Sequence, residues 1–528
     1  MQGSIAITEA EPAGAVGARP AQSRLGWTIA VALAAALLLK LWGIGARPLW
    51  LDEGYSHFFS GLGWRELWFE TPEYEPHPPL YYSVLKLWRG LFGDEAGALR
   101  GLSALAGILT VPLAALAAHE LARLARSPRP MLMVGIAAAL AALSPRLLAS
   151  SQDARPYALL IFAYALAIWA WLRLANSFRD DRASPGRGSD WIALGAGTAL
   201  TLWLHGLGLL YAASLLGALL LVAAPGATRA RWLRLAACAG LVLLLYLPCV
   251  YILAGRSGDW GTGWLRWNVA TFPGQMLDLI SLHRFDEPIT PVLARILIPI
   301  LLFLGIRDLF RSGNRDIGRG LLLLILLPPL AAAWISQLAM PVFLPRTLAG
   351  VLVPIYLACA LAIAALPRGQ MRAAGGALAA IFLVNLVQAV NRPPIERWDS
   401  ITAILAREMG PRDTVWLYPN DAELPLRSAA SPALTAHPIP SPFPALGVGG
   451  SHPSGNAGVV GLDSRSARLW AERHPADPAG TIWLVRSAPG LFDPKDEVLR
   501  GLAGNRRIGP RRQWDDLVLE PLRPAHTP

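Results

Sequence analysis

Charge is scarce in this sequence: only 16% of its 528 residues are Asp, Glu, Lys or Arg, against about 25% in an ordinary soluble domain. Cysteine is scarcer still. Cys238, Cys249 and Cys359 are the three, all inside apolar runs, and no Cys-x-x-Cys pair exists. That spacing excludes a disulfide framework and a thiolate metal site. Internal repeats are missing too. The first apolar run is too long for a signal-peptide core and has no recognisable cleavage site, so it reads as an uncleaved anchor. The formal charge of +11 does not call for nucleic acid, because the basic excess sits in short loops between apolar runs.

What is abundant is clumped hydrophobicity, 54% of the chain. Runs such as "GWTIAVALAAALLLKLWGIG" and "GLLLLILLPPLAAAWISQLA" have the roughly 20 apolar residues that cross a bilayer. The pattern predicts a polytopic membrane protein, mainly α, a transmembrane helical bundle of about 11 spans. They fall near 25–45, 97–118, 131–149, 156–176, 190–205, 207–224, 235–254, 291–306, 320–338, 347–366 and 374–391. Residues 1–24 read as a disordered cytoplasmic tail. Threading eleven spans puts every arginine-rich loop ("RLARSPRP", "FRDDRASPGRGSD", "ATRARWLR", "RDLFRSGNRDIGRG", "PRGQMR") on the side of the N-terminus. A positive-inside bias requires just that.

The same parity decides a doubtful segment. "HPPLYYSVLKLWRGLFG" is apolar but short, and it carries Lys86 and Arg89. Counted as a crossing, it would send the basic loops outside. It therefore reads as an interfacial helix within one long outer loop, 46–96, opened by Pro78 and Pro79. Beyond the last span the composition turns polar, and residues 392–528 predict a small α/β periplasmic domain. A helical pattern covers Trp398–Met409, and "TVWLYP", "TIWLVRS" and "DLVLEPL" read as strands. The proline/glycine/serine-rich stretch between them reads as loop.

Ionisable groups beside apolar spans are costly and mark functional sites by default. Threaded this way, Asp52, Glu53, His57 and His77 of the first outer loop meet Arg146, Asp153, Arg155 and Tyr157 of the second. His205, "HRFDE" (His283 to Glu287) and Arg346 join them at the same face. Arginines there can hold a phosphate by charge-assisted hydrogen bonds, and a carboxylate beside them can take a proton from an attacking hydroxyl. Each residue also has a bland reading. Asp52-Glu53 could be a solvated helix start, His77 a turn residue, Arg155 and Tyr157 interfacial anchors, and His205 a contact between helices.

The order of the motifs "PLWLDEGYSHFF", "HPPLYYSVLKLWRGLFG", "SQDARPYALLIFAYAL" and "LPRTLAG" resembles the GT-C membrane glycosyltransferases of the protein O-mannosyltransferase and aminoarabinose transferase superfamily. The likeness runs over about residues 25–400. It implies an inverting transfer from a polyprenyl-phosphate sugar donor at the outer face of the inner membrane. It also implies Asp52 as the base with Glu53 beside it, and His77, Arg155, Tyr157, Arg346 and Tyr55 around the donor. Some members of the wider fold use a divalent cation, for which Asp52 and Asp153 would offer the hard oxygens that suit Mg or Mn; several relatives do without. Two rival classes remain open: a secondary transporter, which would show repeats and midplane charges, and a non-catalytic lipid-binding scaffold. Sugar and acceptor are not written in the sequence.

Overall fold

The computed structural model describes residues 18–75, 77–254, 261–262, 264–281, 289–430 and 434–525. It is mostly helical, as lipid demands of a chain whose backbone must satisfy its own hydrogen bonds. Helix α1 (Ala18–Leu41) leads into a long loop that carries α2 (Leu51–Gly61) and α3 (Leu80–Phe92). The bundle continues with α4 (Ala96–Leu124), α5 (Pro130–Leu143), α6 (Pro145–Ser151), α7 (Tyr157–Asp180), α8 (Gly188–Leu204), α9 (Gly208–Ala223) and α10 (Arg229–Ala254). Then come α11 (Phe272–Ser281), α12 (Ile289–Arg311), α13 (Arg315–Leu338), α14 (Leu352–Ala365) and α15 (Arg368–Val390).

Each expected span coincides with helix, but they are not all alike. Among the described residues six helices are long and apolar enough to cross a bilayer: α1 from Ser23, α4, α7, α10 as far as Ile252, α13 and α15. The pair α5 and α6, bent by 52°, makes a seventh if it is counted as one broken span. The expected crossings at α8, α9, α12 and α14 are helical and fall outside that set. Of the expected tail, residues 18–24 belong to α1, because its first turns extend the apolar helix; residues 1–17 lie outside the described residues.

The bend between α5 and α6 is built by Ser144 and Pro145. Ser144 ends one helix and caps the next, its hydroxyl accepting the Leu147 N–H at 3.2 Å and the Tyr356 hydroxyl at 2.8 Å. Pro145 opens α6, where its missing N–H costs nothing. The break delivers residues 152–155 to the start of α2. Helices α4 and α7 form the centre of the bundle, and small residues let neighbours approach. At Gly197 of α8 a Cβ would lie 2.7 Å from the Ala163 carbonyl oxygen of α7.

The short α3 is not among the helices long enough to cross a bilayer. It is 13 residues long, about 20 Å at 1.5 Å per residue, too little to span. One face is buried through Tyr81, Tyr82 and Leu85, while Leu87, Leu91 and Phe92 are exposed.

The C-terminal region is a six-stranded mixed sheet with helices on both faces. After α16 (Trp398–Glu408) come β1 (Thr414–Tyr418), α17 (Glu423–Ala429), β2 (Ala436–Pro438), β3 (Ile482–Ser487), β4 (Arg507–Ile508), β5 (Arg512–Trp514) and β6 (Leu517–Arg523). The order is β2-β1-β3-β6-β4, with β5 also on β6. β1 runs parallel to β2 and β3, and β6 antiparallel to β3. Alternation along β1 sends Val415 and Leu417 towards α16, while Trp416 and Tyr418 join the core shared with α2 and α3. That shared core welds the C-terminal region to the loop that bears α2 and α3.

Candidate active site

The site begins at the start of α2. Glu53 is fully buried, and Arg100 of α4 grips it with two parallel bonds, Nε to Oε1 at 2.7 Å and Nη2 to Oε2 at 2.6 Å. Its Oε1 also accepts the Ala154 N–H at 2.9 Å. The remaining donors of Arg100 go to the carbonyls of Ile44, Arg47 and Pro48. With the Trp50 N–H donating to Oε2 at 3.4 Å, all four acceptor sites of the Glu53 carboxylate are engaged within the protein, which leaves none for a substrate.

Asp52 is placed differently. Its side chain is 21% exposed and pairs with Arg346 through Oδ2 at 2.8 Å. Arg346 comes from the turn before α14 and lies over three aromatic rings, with centroids at 5.1 Å for Trp50, 5.8 Å for Tyr157 and 6.0 Å for Trp264. Arg155 donates to the Asp52 carbonyl at 3.1 Å and stands over Tyr157 at 5.9 Å. The Nε donors of both Arg155 and Arg346 are buried and have no partner among the described residues. Two guanidinium groups, each with a buried donor to spare, thus stand beside one accessible carboxylate, an arrangement able to receive an anion.

A second cluster borders the first. His77 pairs with Glu75 through Nδ1 and through its own N–H at 3.1 Å, and Tyr82 donates to the same carboxylate at 2.9 Å. Burial pushes the Glu75 carboxyl up most strongly, but the charge and hydrogen bond of His77, the Arg155 charge and the Tyr82 hydrogen bond together hold it below the usual range. The His77 ring meets His205 edge-on at 4.9 Å, and Tyr157 lies 5.9 Å from the same His205 ring. His205 thus stands inside the site.

Asp153 is half-buried; its Oδ1 accepts the Trp50 indole N–H at 3.0 Å. Burial, with Glu53 nearby, pushes its carboxyl up to about 7. With Arg346 on Asp52 and an indole on Asp153, these two carboxylates do not compose a divalent-cation site as arranged. Among the described residues no three His, Cys, Asp or Glu side chains gather to hold one.

Other expected members fall elsewhere. His57 faces Asp94 at 3.9 Å on the far side of α2, and Arg146 reaches the Asp278 carbonyl at 3.2 Å. Tyr55 turns towards the C-terminal domain. "HRFDE" lies outside the described residues. Sequence reasoning missed Glu75, Tyr82, Trp50, Trp264 and Arg100. Arg100 had a usable signal, an arginine within an apolar span; Glu75 had one in standing two residues before a His-Pro-Pro.

No family model and no curated protein sequence matches the chain. Solved structures do. ArnT from Cupriavidus metallidurans in its apo state aligns at 14% identity over 95% of this chain and 98% of that one, with a TM-score of 0.59. The same protein bound to undecaprenyl phosphate aligns at 15% identity, 94% and 98% coverage and 0.59. The oligosaccharyltransferase AglB from Archaeoglobus fulgidus, in complex with an inhibitory peptide and a dolichol-phosphate, gives 12%, 94% and 74%, and 0.51. The fold is therefore that of the GT-C membrane glycosyltransferases, and the chain is a multi-pass membrane protein.

Proposed function

We propose that the chain is an inverting glycosyltransferase that moves a sugar from a polyprenyl-phosphate donor to an acceptor hydroxyl. The observation that carries this reading is the pairing of Asp52 with Arg346, beside Arg155, with a free buried Nε on each arginine. The shared fold supports it, because the ArnT and AglB structures hold undecaprenyl phosphate and dolichol-phosphate. Arg155, Arg346 and His77 would bind the donor phosphate, with Tyr157 as the wall beneath them and Tyr55 shaping the helix that bears the base. A positive-inside bias of the basic loops supports a site at the outer face of the inner membrane, with the N-terminus in the cytoplasm and the C-terminal domain outside.

The reaction needs little beyond what these residues offer. The acceptor oxygen attacks the anomeric carbon, and the bond from that carbon to the phosphate oxygen breaks. The electron pair leaves with the polyprenyl phosphate, whose negative charge the two arginines neutralise. The acceptor proton passes to Asp52. A phosphate leaving group is already stable as an anion, so no general acid is required. Attack from the side opposite the phosphate inverts the anomeric centre. In this scheme the arriving phosphate draws Arg346 off Asp52, so donor binding unmasks the base. No step runs through a metal ion.

Comparing the envelope glycans of cells with and without the gene, by mass spectrometry, tests the reading. Loss of a defined sugar from one acceptor class is expected; an unchanged glycan profile would overturn it.

A further inference from the structure

The C-terminal domain touches the helix that bears Asp52 at four places on one face. At its first residue, the Leu51 N–H donates to Glu396 Oε2 at 3.0 Å, and that oxygen also receives the Trp398 indole N–H at 2.5 Å. Leu51 contributes one of the N–H groups that a helix start leaves unpaired. One turn later Tyr55 donates to Asp421 Oδ2 at 2.6 Å. Beside it, a Cβ on Gly54 would lie 3.0 Å from Leu424 Cβ and 3.1 Å from the Pro425 nitrogen, so α17 rests against bare backbone. Phe443 then closes edge-on over Tyr55 and Phe58, with centroids at 5.2 Å and 5.1 Å. Leu51, Gly54, Tyr55 and Phe58 follow the spacing that lines one side of a helix.

Helix α2 has 11 residues, fewer than the roughly 12–15 at which an isolated helix begins to hold in water. Its placement is set by its neighbours. On the bundle side, the Glu53–Arg100 pair and the Arg346 and Arg155 contacts of Asp52 fix its first turn, and Arg89 of α3 donates to the His57 carbonyl at 2.7 Å and the Ser60 hydroxyl at 2.8 Å further along. The second fixed line runs along the face covered by the C-terminal domain.

Resting on the glycosyltransferase reading, we infer that Glu396 and Asp421 are positioning residues, through which the C-terminal domain sets where Asp52 stands against the donor. Neither touches substrate. Each holds α2 by one accepted hydrogen bond, at the residue before Asp52 and three residues after it. A reacting group displaced by about 1 Å costs on the order of 100-fold in rate. The groups that would hold the phosphate, Arg155 ahead of α7, Arg346 in the turn before α14 and His77, lie outside the C-terminal domain.

The test uses the full chain in lipid nanodiscs, with Glu396→Ala, Asp421→Ala, Glu396→Gln and Asp421→Asn. Hydrogen exchange over residues 51–61 and binding of undecaprenyl phosphate are read on each, and transfer is read as glycan product in native membranes. The alanine variants are expected to exchange at least tenfold faster over α2 and to lose about 10- to 100-fold in turnover. Their undecaprenyl phosphate affinity stays within twofold. Gln and Asn keep an acceptor oxygen and restore both readings to within threefold. Wild-type exchange and turnover in the alanine variants would overturn the inference, as would losses that Gln and Asn do not restore or that weaken phosphate binding in step. If the wild-type chain transfers no sugar, the glycosyltransferase reading falls, and α2 exchange alone decides whether the clamp exists.

Discussion

Glu53 and Asp52 are adjacent acids with opposite employment, and the difference is one of partners. Glu53 shares a buried bidentate pair with Arg100; breaking such a pair by removing one member leaves an uncompensated charge and costs about 3–5 kcal/mol. Arg100→Ala should therefore lower the unfolding temperature of the purified protein sharply, as fluorescence melting would show. Asp52→Asn should leave that temperature nearly unchanged. A third acid supplies a pH signature. Burial, with the Asp52 charge adding, pushes the Glu396 carboxyl up to about 7, from roughly 4.3 in an unfolded chain. A raised carboxyl stabilises the fold below its unfolded value, and that stability is lost as pH rises through about 7. The melting temperature should fall by a few degrees between pH 5 and pH 8, and Glu396→Gln should flatten the decline. The sequence showed the Asp52-Glu53 pair and its arginine neighbours. It could not show which acid Arg100 would claim, because that depends on how α4 crosses α2.

Among the elements, the apolar runs were legible because period and length alone make them helices in lipid. Boundaries were less so: the segment read as one span at 131–149 breaks at Ser144, and the break is what carries Asp153 and Arg155 into the site. A serine-proline pair in an apolar run is compatible with a straight or a bent helix, and only the Tyr356 contact decides. Close helix crossings have the same character. Gly197→Ala would bring a methyl to 2.7 Å from the Ala163 carbonyl oxygen, and overpacking of this kind costs about 1–3 kcal/mol. A fall in detergent melting temperature, with undecaprenyl phosphate still bound by whatever folded protein remains, is the expected outcome. The strands of the outer domain were visible as alternating apolar runs, but the contact of that domain with α2 rests on long-range pairs such as Tyr55 with Asp421, separated by 366 residues. No local pattern encodes those.

Taken whole, the molecule sets its arginine-rich loops and its C-terminal domain at opposite ends of the bundle, an arrangement that a positive-inside bias would enforce during insertion. On the proposed topology, an odd number of crossings from a cytoplasmic N-terminus would leave the C-terminal domain outside. A C-terminal alkaline phosphatase fusion should be active and a green fluorescent protein fusion dark; the reverse would mean an even number of crossings.

On this reading Asp52 takes the acceptor proton while the arginines hold the phosphate. Asp52→Asn, measured for undecaprenyl phosphate binding in nanodiscs and for sugar transfer in native membranes, separates those two roles. Binding should stay within a few-fold of wild type while transfer falls by at least 100-fold, in line with loss of a general base. Wild-type transfer by that variant would show that Asp52 is not the base.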